Sequence, residues 1–175
     1  VPLALDHSKN ISRPDYTTIG HFLWYTYGLT QVSQSLAYPG MEATVYETSR
    51  RFLPSGGALY PNELYVYLKL EDLPAGIYHY DVAHHRLCLI REGNFDSYLS
   101  EVLGNQCDVP SCFAVVIVSA MFWKNFFKYH NFSYRLQGLD TGVLIGQLLE
   151  VAKRFGFATG VYFQLLDRAI NHLVG

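Results

Sequence analysis

The spacing of apolar residues changes several times along the chain, and each change marks an element. Ile19, Phe22, Leu23 and Tyr27 recur at helical spacing behind Pro14-Asp15-Tyr16-Thr17-Thr18, which predicts a short helix capped by a threonine and ended near Gly28. Residues 31 to 49 are polar and irregular and read as a surface loop. Glu63 to Leu70 is rich in Tyr, Val and Leu, as strands are. Ile77 to Tyr80, a turn over Asp81 to His85, and Arg86 to Ile90 predict a hairpin, followed by an amphipathic helix over Asn94 to Leu103. The unbroken run Phe113 to Val118 fits a central strand buried on both faces.

A helix is expected around Phe122 to Tyr129. A long one follows from about Tyr134 to Phe155, with Leu136, Leu139, Val143, Leu148, Val151 and Phe155 on its apolar side. Gly138, Gly142 and Gly146 sit four apart on that helix, where close approach of a backbone or flat ring would explain them. A strand over Ala158 to Phe163 and a helix over Leu166 to Leu173 end the chain. Together these elements predict an α+β fold: an antiparallel central sheet flanked by helices, with the long helix buried at its centre.

Composition narrows the class. At 175 residues the chain fits one domain, and 50% hydrophobic with 15% aromatic content excludes disorder. A net charge of -2 argues against nucleic acid, although Trp123 to Tyr129 interleaves basic and aromatic residues. The longest apolar run, Cys112 to Trp123, is too short to cross a bilayer, and Val1 to Asn10 lacks the features of a signal peptide. Cys88, Cys107 and Cys112 are odd in number and unclustered, so free thiols in a cytoplasmic setting are expected. His79, His84 and His85 have no acid or cysteine at ligand spacing, and no metal site is expected.

One segment is dense in candidate chemistry: Arg50-Arg51-Phe52-Leu53-Pro54-Ser55-Gly56-Gly57-Ala58-Leu59-Tyr60-Pro61-Asn62-Glu63-Leu64-Tyr65. Adjacent arginines can hold a phosphate by forked, charge-assisted hydrogen bonds. Pro54, Ser55, Gly56 and Gly57 leave little side chain between backbone and ligand. Arginines, bare loop and strand together suggest a flat cofactor bearing a phosphate, at a spacing unlike a Walker loop or a dinucleotide turn. The same residues also fit an ordinary turn beside a solvated arginine pair.

This segment resembles the signature of the SagB-type dehydrogenases, a branch of the FMN-dependent nitroreductase superfamily. Further matches follow in the same order: Leu23 to Thr30, Gly76 to Asp81, Lys128-Tyr129, Tyr134-Arg135 and Asp140-Thr141-Gly142, covering about residue 17 to the end. The resemblance implies a nitroreductase-like fold and oxidation of thiazoline or oxazoline rings to thiazoles or oxazoles in peptide natural-product biosynthesis. It implies FMN as cofactor, with Arg50 and Arg51 on its phosphate, Pro54, Ser55, Gly56 and Gly57 against the flavin, and Arg135 nearby. Lys128 and Tyr129 match the pair that carries catalysis, with a tyrosinate as base. Free tyrosine ionises only near pH 10, and a neighbouring ammonium favours the anion. Neighbours on a helix face different ways, so the pair can share a pocket only near a helix end, which Asn131 and Ser133 make plausible.

Asp140 matches an aspartate of the family's long helix, or is an exposed helical carboxylate. Glu63 reads as a hydrogen-bond acceptor for the loop rather than a general base. Expected partners are a peptide or small-molecule heterocycle, a second copy of the chain in a homodimer, and a cyclodehydratase or synthetase. Val143, Gly146 and Gln147 stand where the family has histidine and a Gln-Asn pair, and the family's final strand is expected to be missing from residues 1 to 175. Those departures keep open a flavin-free docking domain of a larger, tandem protein. A generic nitro or quinone reductase is a third reading.

Overall fold

A computed structural model describes residues 14–36 and 45–175. Helix α1 (Tyr16–Tyr27) begins at Asp15, whose Oδ1 accepts from the Thr18 backbone N–H at 2.7 Å, so the cap is the aspartate and not a threonine. Strands β1 (Leu29–Leu36) and β2 (Val45–Arg51) pair antiparallel where residues 31 to 49 were expected to form a loop; residues 37 to 44 of that stretch lie outside the described residues. The pairing was illegible because neither strand alternates apolar and polar positions; both are mostly exposed.

The main sheet has the order β5-β4-β3-β6 and is antiparallel throughout, built from β3 (Asn62–Leu68), β4 (Gly76–Asp81), β5 (Arg86–Glu92) and β6 (Ala114–Ala120). Strand β3 is the central one. Its Leu64, Val66 and Leu68 face α1 and the long helix α4 (Phe132–Arg154), and join Ile19, Leu23, Tyr78, Tyr80, Leu144 and Val151 in one core. Tyr67 faces the other way, with Ile77, Leu99, Ile170 and Leu173, against α2 (Asp96–Val102) and α5 (Asp167–Val174). The result is three layers, with helices on both faces of the sheet. The α+β class expected from the sequence is the one observed.

Three expectations change in detail. β6 lies at an edge and is half-buried, because continuous β-branched sequence reports burial without saying on how many sides a strand is paired. Residues 158 to 163 form no strand; they run exposed, and no strand among the described residues pairs with them. On α4 the buried stripe is Ser133, Gln137, Asp140, Leu144, Val151 and Ala152, whereas Leu139 and Val143 are exposed. Beyond the helix's own neighbouring backbone, no described residue comes within 4 Å of a Cβ placed on Gly138, Gly142 or Gly146.

Candidate active site

The first half of the buried stripe on α4 is polar, and each of its residues positions a different segment. Ser133 Oγ donates to the His130 carbonyl at 2.6 Å, fixing the turn between α3 (Trp123–Tyr129) and α4. Gln137 Nε2 donates to the Phe122 carbonyl at 2.9 Å, anchoring the start of α3. Asp140 accepts from Ser55 Oγ at 2.6 Å and from the Gly56 N–H at 3.0 Å, and Ser55 Oγ accepts in turn from the Tyr60 N–H. Asp140 is therefore a buried clamp on the loop, not an exposed carboxylate. Next to it Thr141 Oγ1 accepts from Asn62 Nδ2 at 2.7 Å, tying the start of β3 to the same helix.

Held this way, Ser55 to Ala58 makes a tight turn in which Gly57 takes a left-handed conformation (φ 65°). Glycine is needed here twice over. Any other residue would be strained at that φ, and its Cβ would run into the Tyr129 hydroxyl and lie 3.0 Å from Lys128 Nζ. Lys128 and Tyr129, adjacent in sequence, thus reach the same point on the loop. They do so because α3 ends at Tyr129, as the helix-end requirement demanded.

The two arginines lie on opposite sides of β2, as strand alternation dictates. Arg50 is exposed, with Nη1 donating to the Ser49 carbonyl at 3.2 Å. Arg51 turns inward: its guanidinium lies 3.9 Å from the Tyr27 ring centroid and 5.0 Å from that of Tyr60. Its Nε and Nη1 are buried without a hydrogen-bond partner among the described residues. Burial lowers the Arg51 pKa, opposed by the negative charge of Glu63, and pushes the Tyr27 phenol well above the usual tyrosine range. Burial also pushes Tyr80 up to about 12. An open groove of about 750 Å³ runs along Glu47 to Arg51, Pro54, Ser55, Gly57 and Tyr60.

The other expected residues fall outside this focus. Arg135 is exposed on the first turn of α4, beside Leu136, whose side chain lies over Gly56. Glu63 binds His79 Nε2 at 3.1 Å and approaches Lys124 Nζ at 3.7 Å, so it joins β4 and α3 to β3. His84 and Arg86 both donate to Asp81 at 2.8 Å, and His85 pairs with Tyr80 at 2.9 Å. Among the described residues no group of three or more His, Cys, Asp or Glu could hold a metal, and no helix is long and apolar enough to cross a membrane.

No family model matches the chain. A crystal structure of an Anabaena variabilis protein assigned as a nitroreductase superposes with a TM-score of 0.80 at 27% identity, over 93% of this chain and 33% of that one. The chain is nitroreductase-like. One chain of the E. coli microcin synthetase McbBCD complex, solved with truncated pro-MccB17 bound, matches this nitroreductase-like chain with a TM-score of 0.70 at 25% identity, over 91% of it and 57% of the synthetase chain. The trifolitoxin-processing protein TfxB of Rhizobium leguminosarum bv. trifolii is 34% identical over 135 residues, 73% of this chain and 36% of that protein. Within the nitroreductase-like group, these two likenesses point to the azoline-dehydrogenase branch. The chain spans about a third of the length of TfxB and of the Anabaena protein.

Proposed function

We propose that this chain is the flavin-binding, catalytic part of an FMN-dependent dehydrogenase that oxidises thiazoline or oxazoline rings in a modified peptide. The observation that carries the reading is the meeting of Lys128 Nζ and the Tyr129 hydroxyl at Gly57, on a loop clamped by Asp140. The residues suit FMN. Arg50 is an exposed cation at the groove, and Arg51 carries buried N–H groups that find no acceptor among the described residues. The Ser55–Gly57 turn offers backbone where a Cβ would intrude.

Aromatising an azoline removes one proton from carbon and one hydride. Bound FMN would accept the hydride. Tyr129, as the phenolate, would take the Cα proton, and the Lys128 ammonium would stabilise that anion by its charge. Asp140 fixes the loop against which the substrate ring is oriented, so its work is positional. The likeness to a microcin synthetase chain and to a trifolitoxin-processing protein supports a peptide as substrate and a cyclodehydratase or synthetase as partner. A homodimer would cover the open face of α4, where Leu139 and Val143 flank Gly138, Gly142 and Gly146, along with Trp123 and Phe127 of α3.

The test is turnover of a thiazoline-bearing peptide by the purified chain supplied with FMN, followed by mass spectrometry. Loss of two hydrogens per ring supports the reading. A chain that takes up no flavin and leaves the ring unchanged would instead be a docking domain of a larger protein.

A further inference from the structure

The residue that follows the Lys128–Tyr129 pair has a backbone conformation that only glycine adopts freely. His130 sits at φ 46°, ψ −132°, closing α3 through its N–H to the Phe126 carbonyl at 2.9 Å. A non-glycine residue persists there only when its surroundings hold it, and such positions gather where geometry serves function. The surroundings are explicit. The His130 carbonyl accepts two bonds from one residue, the Ser133 N–H at 3.0 Å and the Ser133 hydroxyl at 2.6 Å. Ser133 is completely buried, while the residues on either side of it are exposed. The His130 ring also lies edge-on to Phe126, with centroids 6.0 Å apart.

We propose that Ser133 is a positioning residue, which holds the strained His130 corner and so lets two adjacent side chains, Lys128 and Tyr129, converge on Gly57. In an uninterrupted helix their directions would diverge by about 100°. Ending α3 immediately after Tyr129, at a corner held by Ser133, leaves no further turn of α3 beside the pair and sets its aim. Ser133 touches neither substrate nor cofactor in this scheme; it acts through His130 on the pair. The inference rests on the reading of Lys128 and Tyr129 as the catalytic pair.

The test is a double-mutant cycle of Ser133→Ala and His130→Gly, with Tyr129→Phe alongside. In the flavin-loaded protein, Ser133→Ala is expected to lower kcat by about tenfold or more with FMN affinity and KM within about twofold, because the pair loses its aim while the loop is untouched. In the flavin-free protein, the ζ-carbon resonance of 13C-labelled Tyr129, assigned by its absence in Tyr129→Phe, should shift in Ser133→Ala. In the His130→Gly background, where the corner is no longer strained, the kcat loss from Ser133→Ala should shrink to a few-fold, and His130→Gly alone should raise Tm. Equal losses in both backgrounds, or an unmoved Tyr129 resonance, would overturn the proposal, as would FMN affinity falling in step with kcat. If Ser133→Ala does not fold, a Tm lowered by His130→Gly overturns it. Unchanged turnover in Tyr129→Phe strikes the underlying catalytic reading instead, whereas impaired Tyr129→Phe with normal Ser133→Ala removes only the role of Ser133.

Discussion

Gly57 and the Lys128–Tyr129 pair constrain one another residue by residue. Gly57→Ala would put a Cβ against the Tyr129 hydroxyl at a positive φ, costing about 1 kcal/mol for the backbone alone, so Tm and turnover should both fall. Gly56→Ala makes an instructive contrast: its Cβ would meet only the end of the Leu136 side chain, at 3.3 Å, which can give way. Thermal melts of the two variants check this, and equal effects would argue against the contact. Tyr129→Phe should keep FMN bound and lose about 10²- to 10⁴-fold in turnover, as removal of a general base does, measured by steady-state kinetics beside a flavin titration. Much at this scale was legible in the sequence, because Ser-Gly-Gly and Lys-Tyr are short motifs whose meaning is local. Asp140 was not, since a lone carboxylate in a helix says nothing of what it faces. The clue lay in Ser133, Gln137 and Asp140 together, polar residues recurring at helical spacing in an otherwise apolar stripe.

Among the elements, α4 acts as a jig: its polar half sets the loop, the α3 start and the α3–α4 turn, and its apolar half joins the core. Asp140→Ala should leave the Ser55 O–H and the Gly56 N–H without an acceptor, at a cost of about 1–3 kcal/mol, and weaken FMN binding without changing the fold. Calorimetry of the variant against wild type measures both effects. The β4–β5 turn makes a separate prediction. Hydrogen bonds from His84 and Arg86 hold the Asp81 carboxyl down to about 2. A depressed carboxylate contributes stability that is complete above its unfolded pKa of about 3.9 and is lost as pH falls through the folded value. Tm should therefore decline across that acid window in wild type and less steeply in Asp81→Asn; parallel profiles would contradict it. Helix and hairpin positions were legible because their periods are strong. The edge position of β6, the exposed β1–β2 pair and the strandless 158 to 163 segment were not, because pairing partners are a property of the assembled sheet and not of the strand.

In the molecule taken whole, the three-layer core is closed on the sheet faces, but large apolar side chains of α3 and α4 remain exposed, Trp123 at 72% and Phe127 at 70% among them. Light scattering should give about twice the mass of one chain, and Trp123→Glu/Phe127→Glu should return it to the monomer. A monomeric wild-type chain would remove the dimer from the account. The central claim is that the groove beside Arg50, Arg51 and the Ser55–Gly57 turn holds FMN. Its most direct test is fluorescence titration of FMN with the purified chain and with Arg50→Ala/Arg51→Ala, circular dichroism establishing that both are folded. The account predicts saturable binding at one FMN per chain, weakened in the double variant by several kcal/mol as the phosphate loses its charge partners. Equal affinity in the two proteins, or no binding by either, would contradict it.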